Sequence, residues 1–414
     1  MDSFTDPEIQ KCPFPFIAKL HKEAPVYQDP VSKMYVVARY EDIAYVSAHP
    51  ELFSNQTEIV IGGRNIPGAE RVAALYEADG HPRFHTLVTN DPPSHTPYRQ
   101  IVDKVFAPSF VKSLEPYIAA LANELIDDFI DDDSVDLQQQ FCVRLPMYVI
   151  SDQVGVPRSD WQTIKRWSDA SIGLINPALD IEERLKLVRI HIELQQYLAQ
   201  VRKRYLAEPA ETYFSRLATA EVDGVRLTED QFVNVAEQLL VAGNETTTSA
   251  IGHAVAYLIR HPEITAALRA DPSLVVNFTE EILRIHAPSP HLYREVLEDG
   301  VELSGVSIPK GETIMLSYLA GNHDPARYEC PEQVKLDRPG VRNHLAFGRG
   351  IHFCIGNQLA RAELRIAVAT LINRVENLQF DPSYPEPGIA PIYHVHSIDG
   401  LHVTFSPVEA AVNA

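Results

Sequence analysis

The chain has 414 residues, 45% of them hydrophobic and 22% charged, an ordinary globular composition that excludes wholesale disorder and can bury a large core. Its 36 Lys+Arg against 56 Asp+Glu leave a formal charge of -20, which argues against nucleic acid or an anionic membrane surface as the main partner. Cys12, Cys142, Cys330 and Cys354 lie far apart with no CxxC pair, so neither a disulfide framework nor a zinc ribbon is indicated and a reducing compartment is expected.

The start, MDSFTDPEIQ, is acidic and polar, unlike a signal peptide, and no window approaches about eighteen uncharged apolar residues. A cytoplasmic protein without a membrane anchor is expected. Tyr35-Val36-Val37 predicts a strand, and the helical spacing after it predicts a short helix before Pro50. Residues 58–94, rich in Gly, Pro and His, read as one irregular functional loop. From about 95 to 285 the pattern is helical, as in VKSLEPYIAALANELIDDFI and IEERLKLVRIHIELQQYLAQVRKRY. The acidic run Asp127–Asp136 within it reads as a solvated helix end, since nothing fixes EF-hand spacing. Between 290 and 345, turn signals at Glu298-Asp299-Gly300, Ser304-Gly305 and Pro309-Lys310-Gly311 break short apolar runs. Near the C-terminus, YHVHSIDGLHVTF predicts a hairpin. The whole reads as mainly α within an α+β class, a single domain over 1–414. Its β-rich parts fall at about 24–60, 290–345 and 378–407, and its helical body at about 95–285 and 355–377.

Three stretches carry chemistry. A capping box, Thr228-Glu229-Asp230-Gln231, opens an apolar run that lasts to Pro262 and would span ~48 Å as one helix. At its middle, VAGNETTTSA combines Gly243 with three β-branched threonines, so local opening or kinking is expected there. Glu245 either points to solvent or stands with Thr246 beside a buried ligand, where an acid next to a hydroxyl can organise water and relay protons. Glu281 and Arg284, three residues apart, can pair on one helix face; as a surface pair they would contribute only ~0.3–0.5 kcal/mol.

The third stretch is FGRGIHFCIG, residues 347–356. Helical periodicity begins after Gly356, which places Cys354 where unsatisfied N–H groups and the positive end of the helix dipole favour a thiolate. The glycines let backbone N–H groups approach the sulfur, an arrangement suited to a metal ligand. Cys354 could also be a small buried hydrophobe. A zinc site using His352 with Cys354, joined by His394 and His396, lacks any CxxC or HxxxH support.

Taken together these motifs resemble a bacterial soluble cytochrome P450, a haem-thiolate monooxygenase. The pattern FGxGxHxCxG is complete at Phe347, Gly348, Gly350, His352, Cys354 and Gly356, with the acid-alcohol pair at Glu245-Thr246 and ExxR at Glu281 and Arg284. The resemblance implies a large helical body with a smaller β-rich region, and haem b buried between the long central helix and the cysteine-loop helix. It implies Cys354 as the axial ligand to iron, Phe347, Gly348 and Gly356 as its loop, and His95, Arg99, Arg294 and His344 as partners of the haem propionates. Glu245 and Thr246 would deliver protons, while Glu281 and Arg284 would be structural.

The same resemblance implies O2 as cosubstrate and electrons passing from NAD(P)H through a ferredoxin reductase and a separate ferredoxin. Arg349, Arg361 and Arg365 would offer that carrier a basic docking face. The substrate would be a lipophilic small molecule of terpenoid, steroid or aromatic class, hydroxylated or epoxidised by a monomeric enzyme. By family analogy its pocket draws on Leu240, Val241, Gly243, Leu292, His394 and His396. A peroxide-driven peroxygenase is the alternative enzyme, disfavoured by the presence of both Glu245 and Thr246. A non-catalytic haem-binding sensor is the alternative outside enzymology.

Overall fold

The capping box closes as the sequence predicts: Thr228 Oγ1 accepts the Gln231 amide at 3.3 Å, and Gln231 Oε1 accepts the Thr228 amide at 2.9 Å. In this computed structural model, which describes residues 2–57, 68–176, 179–222, 224–392 and 394–408, the box starts the 32-residue central helix Glu229–Arg260. The helix runs unbroken through VAGNETTTSA. The expected opening is reduced to Thr246 Oγ1 donating to the Ala242 carbonyl at 2.8 Å, which satisfies the hydroxyl without removing a turn.

Two apolar clusters grip this helix at either end. Phe232, Val235, Ala236 and Leu240 pack with Leu194, Leu198 and Phe214, while Ala250, Ile251, Ala254 and Leu258 pack with Phe278, Leu364 and Leu371. Each fully buried Leu, Ile or Phe contributes roughly 1.5–3 kcal/mol. The stretch between the clusters behaves differently: Ala242 and Gly243 are exposed although the helix on both sides is buried. Around the central helix stand Pro108–Asp127, Arg144–Val154, Trp161–Gly173, Ile181–Ala207, Leu274–His286 and the cysteine-loop helix Asn357–Arg374.

The strands form the smaller part. A five-stranded sheet runs Val26–Gln28, Tyr35–Val37, Thr313–Ser317, His291–Val296, Phe53–Ser54. Only the Tyr35–Val37 and Thr313–Ser317 pair in it is parallel. Its antiparallel register sets Arg294 opposite Ile314. The strand Tyr35–Val37 and helix Tyr40–Ala48 follow the sequence expectation, as does the turn at Ser304-Gly305, which joins Val301–Leu303 to Val306–Ile308 with φ of 46° and 80°.

Two expectations are corrected. The 58–94 stretch contains a helix, Ala69–Asp79, that begins after Gly68 at φ 77°. Val72, Leu75 and Tyr76 supply an apolar face to Val188 and Ile192, a periodicity masked by the flanking Gly and Pro; residues 58–67 lie outside the described residues. The C-terminal segment is not a hairpin. Ile398–Asp399 pairs with Gly388–Ile389, whereas His402–Pro407 joins Val375–Phe380 and Ser134–Asp136, because each strand finds a longer-range partner across the Asp399-Gly400 turn. The acidic run is indeed mostly solvated, although Ser134–Asp136 within it is a strand. No helix among the described residues is long and apolar enough to cross a membrane.

Candidate active site

Cys354 is presented by a backbone that only glycine can make. Gly348 and Gly350 take φ of 64° and 69°, and a Cβ on Gly350 would come within 2.0 Å of the Ser47 carbonyl oxygen. The Cys354 amide donates to the Phe347 carbonyl at 2.9 Å, closing the loop, while Asn357 Nδ2 donates to the Cys354 carbonyl at 2.7 Å at the helix start. The sulfur faces the amides of Gly356 and Asn357. Burial pushes the Cys354 thiol up from its ordinary value, and those amides with Arg99 and Arg361 offset this only in part. The sequence expectation of a thiolate set by the helix terminus is therefore incomplete: desolvation outweighs the terminus, and a bound cation is needed to hold the sulfur deprotonated.

Beside the cysteine loop lies a cluster of cationic and N–H donors. The rings of His95 and His352 meet with centroids 4.5 Å apart and planes tilted by 58°. Arg99 Nη1 donates to the Phe353 carbonyl at 2.7 Å, fastening the His95–Val105 helix to the loop. Burial first, then Arg294, His95 and Arg99, hold His352 neutral down to about 3; burial and then Arg99 lower His95. Arg294 is 3% exposed and donates to the Tyr293 carbonyl at 2.6 Å; among the described residues no carboxylate pairs with it. His352 Nε2 is buried without a partner. A buried guanidinium and imidazoles that repel one another's protonation call for an anion.

These residues fit haem. The amide-backed sulfur suits iron, and Arg294, Arg99, His95 and His352 suit two propionates. Added Cβ atoms at Gly356, beside the cysteine, and at Gly243, on the central helix, would meet nothing within 4 Å.

His344, which the resemblance places with the propionates, is brought elsewhere. Its Nε2 lies 3.0 Å from Glu280 Oε2 and its Nδ1 accepts the Ala346 amide at 3.2 Å, so both ring nitrogens are committed. Glu280 also receives Arg361, with Nε at 2.6 Å and Nη2 at 3.1 Å. Against the penalty of burial, His344 and Arg361 hold the Glu280 carboxyl down at about 2. Next to it, Glu281 and Arg284 form no surface pair: both are fully buried, bridged at 2.7 and 3.0 Å. Arg284 also donates to the carbonyls of Asn322, Pro331 and Gln333, and Arg338 reaches Glu281 at 2.9 Å. This network staples segment 322–338 to the helix Leu274–His286. Phe347 lies under the Arg361 guanidinium at 4.4 Å.

On the central helix, Glu245 Oε1 accepts from Lys165 Nζ at 3.0 Å, and Lys165 also donates to Asp169 Oδ1 at 2.6 Å. Burial works to lower the Lys165 pKa, but Glu245 and Asp169 together raise it above its ordinary value. Sequence reading singles out Glu245 and Thr246 but not Lys165 or Asp169, which lie some eighty residues away on another helix. His352 and Tyr318, whose buried hydroxyl faces Arg294, also complete the site; His352 alone had a signal, inside the cysteine motif.

The pocket expectations divide. Gly243 is open and Val241 half-buried, but Leu240 is 0% exposed within the core cluster. Leu292 packs against the five-stranded sheet's core. His394 contacts the His291 and Tyr293 rings. His396 is buried, with its Nδ1 on the His286 carbonyl. The three arginines expected to greet a redox carrier are largely engaged within the protein: Arg349 with Tyr40, Arg361 with Glu280, and Arg365 with Glu115 at 2.8 Å.

The family description "Cytochrome P450" matches residues 182–387. Cytochrome P450 109 of Bacillus spizizenii is 34% identical over 367 residues, 87% of this chain and 84% of that one. Cyclomarin C epoxidase CymV of Salinispora arenicola is 32% identical, over 91% of this chain and 93% of its own. Among solved structures, cytochrome P450 CYP109Q5 from Chondromyces apiculatus superposes with a TM-score of 0.86 at 32% identity, covering 99% of both chains. CYP109E1 from Bacillus megaterium in complex with corticosterone superposes with a TM-score of 0.82 at 29% identity, over 96% of this chain and 99% of that one.

Proposed function

The chain belongs to the cytochrome P450 family and is a P450 monooxygenase, and from that premise we propose that it hydroxylates or epoxidises a lipophilic small molecule with electrons from a separate ferredoxin. Haem b, when bound, supplies the activation of O2 and the oxidising power. The protein's part is to hold the Cys354 sulfur against the amides of Gly356 and Asn357, to neutralise the propionates with Arg294 and Arg99 and give them N–H donors from the neutral rings of His95 and His352, and to deliver protons. His344 is left out of this propionate set because Glu280 occupies it.

The observation that carries the reading is the line Asp169–Lys165–Glu245, which ends on the residue before Thr246. Asp169 is half exposed and Glu245 is 19% exposed, with Lys165 Nζ between them. Lys165, kept protonated between the two carboxylates, holds Glu245 Oε1 in place on the side facing solvent, and Thr246 Oγ1 stands one residue on at the open face of the helix, so that protons arriving at this acid can be handed toward the hydroxyl. A haem carrier has no use for such a line, and a peroxide-driven enzyme does not need it.

For the substrate, the open face at Ala242–Gly243 offers no charge, which favours an apolar skeleton. CymV acting as an epoxidase is consistent with epoxidation, and CYP109E1 binding corticosterone with a steroid-like molecule. We place the enzyme in the cytoplasm, as a monomer drawing on NAD(P)H through a ferredoxin reductase.

The test is direct. Reduced protein under carbon monoxide should show a strongly red-shifted Soret band that Cys354→Ser removes. Reconstituted with ferredoxin, reductase and NAD(P)H, it should add one oxygen atom to a member of a steroid and terpenoid library. Failure to take up haem, or product formed with peroxide but none with the ferredoxin system, would overturn the reading.

A further inference from the structure

Away from the cysteine loop, four histidines meet in the core. His253 lies on the central helix, His286 ends the helix Leu274–His286, and His396 lies on the C-terminal segment. Their ring centroids are 3.9, 4.9 and 5.8 Å apart, and one ring nitrogen of each lies within 4.8 Å of the other two. The ring of Phe14 abuts both His396 and the fourth histidine, His323.

The hydrogen bonds fix which nitrogen carries a proton. His396 Nδ1 lies 2.5 Å from the His286 carbonyl, His253 Nε2 lies 2.8 Å from the His396 carbonyl, and His323 Nδ1 lies 2.9 Å from the Leu319 carbonyl. A carbonyl only accepts, so each of those nitrogens bears hydrogen and the opposite nitrogen carries a lone pair. Two of those lone pairs find nothing to accept: His396 Nε2 and His323 Nε2 are buried with no partner, as is the Nδ1 of His286. An imidazole with one nitrogen donating to a carbonyl and the other bare is the arrangement that orients a metal ligand.

We propose that His253, His286 and His396 form a site for a divalent cation of the zinc class, separate from the haem iron. Neutral imidazole suits such an ion better than calcium or magnesium, which take oxygen ligands. Burial keeps all three rings neutral, with His396 lowered to about 4, so protons do not compete for the ligand atoms near neutral pH. Coordination requires the His253–His286 stack, now at an 11° interplanar angle, to tilt open so that the lone pairs converge. Arg260, whose charge reaches His253 and His286, is drawn off toward the Pro387 carbonyl at 3.2 Å and Glu386 at 3.9 Å. The ion would tie the central helix to the C-terminal segment.

The experiment uses haem-loaded protein expressed in zinc-supplemented medium, dialysed against chelator and assayed for metal. One zinc per chain besides the haem iron is expected, falling to none in His286→Gln/His396→Gln. An unchanged reduced-carbon monoxide spectrum and far-ultraviolet circular dichroism show that the variant is folded. Should the double variant not fold, His286→Asn alone, titrated with Co2+, must lose the visible cobalt bands that the parent protein shows. Absence of retained zinc together with absence of cobalt bands in the parent overturns the proposal, as does equal metal content in parent and folded variant.

Discussion

His344 Nε2 and Glu280 Oε2 lie 3.0 Å apart in the core, and the same carboxylate takes the Arg361 guanidinium, so one acid fastens the segment before the cysteine loop to the helix that follows it. The Glu280 carboxyl is held at about 2 in the folded chain, below its ordinary 4.5. The folded value is the lower one, so the stabilisation is complete above about pH 4.5 and is lost as pH falls toward about 2, with an upper bound near 3 kcal/mol. Glu280→Gln should therefore unfold at a lower temperature than the parent at neutral pH, and the gap should close on acidification through that window. A gap independent of pH would show that the charge on Glu280 does not stabilise the loop.

Arg294 and His344 should separate in their effects on haem. Arg294→Ala removes a buried cation with no carboxylate partner among the described residues, and we expect haem affinity to fall by about 10- to 100-fold, the equivalent of one or two charge-assisted hydrogen bonds. His344→Gln breaks the link to Glu280 and should lower the melting temperature while leaving haem affinity within about threefold of the parent. Haem transfer to apomyoglobin measures the first, and thermal unfolding the second. Equal haem loss in both variants would return His344 to the propionate set.

What the sequence makes legible is what local spacing encodes. Cys354, its glycines and the Glu281–Arg284 pair each sit within one loop or one helical turn, so their chemistry is visible without knowing the fold. The capping box at Thr228 is legible for the same reason. Arg338, Glu280 and Lys165 acquire their partners from segments 57, 64 and 80 residues away, and no periodicity announces such meetings. The C-terminal segment was misread because alternation marks a strand but does not name its neighbour. His344 resembled a cofactor ligand by its place in HLAFG, yet a buried acid reached it first. The arginines around the cysteine loop looked like free positive surface until their carboxylate and phenol partners came into view.

Lys165 should govern proton delivery without touching haem. Replacing it by Met removes the charge between Asp169 and Glu245, and kcat should drop by about 10- to 100-fold with little change in KM, as expected for loss of a proton-transfer step. The solvent deuterium isotope effect on turnover should rise, and peroxide should leak at the expense of product. The reduced-carbon monoxide spectrum should be unchanged. An unaltered kcat and isotope effect would mean that protons reach Thr246 by another path.

Glu363 offers a test of the core itself. It lies on the cysteine-loop helix at 3% exposure, and burial raises its carboxyl to about 8. The folded value here is above the ordinary 4.5, so the folded chain binds the extra proton and is progressively penalised as pH rises from about 4.5 to about 8, with no further loss above. Glu363→Gln keeps the shape and cannot ionise. It should melt close to the parent near pH 5 and be more stable near pH 9, by up to about 5 kcal/mol. The neighbouring Tyr213, whose own acidity is suppressed first by burial and then by Glu363, has a buried hydroxyl with no partner. If the variant instead loses stability equally across the range, the carboxyl is hydrogen-bonded and ionised in solution, and the helix beneath the cysteine carries a charge.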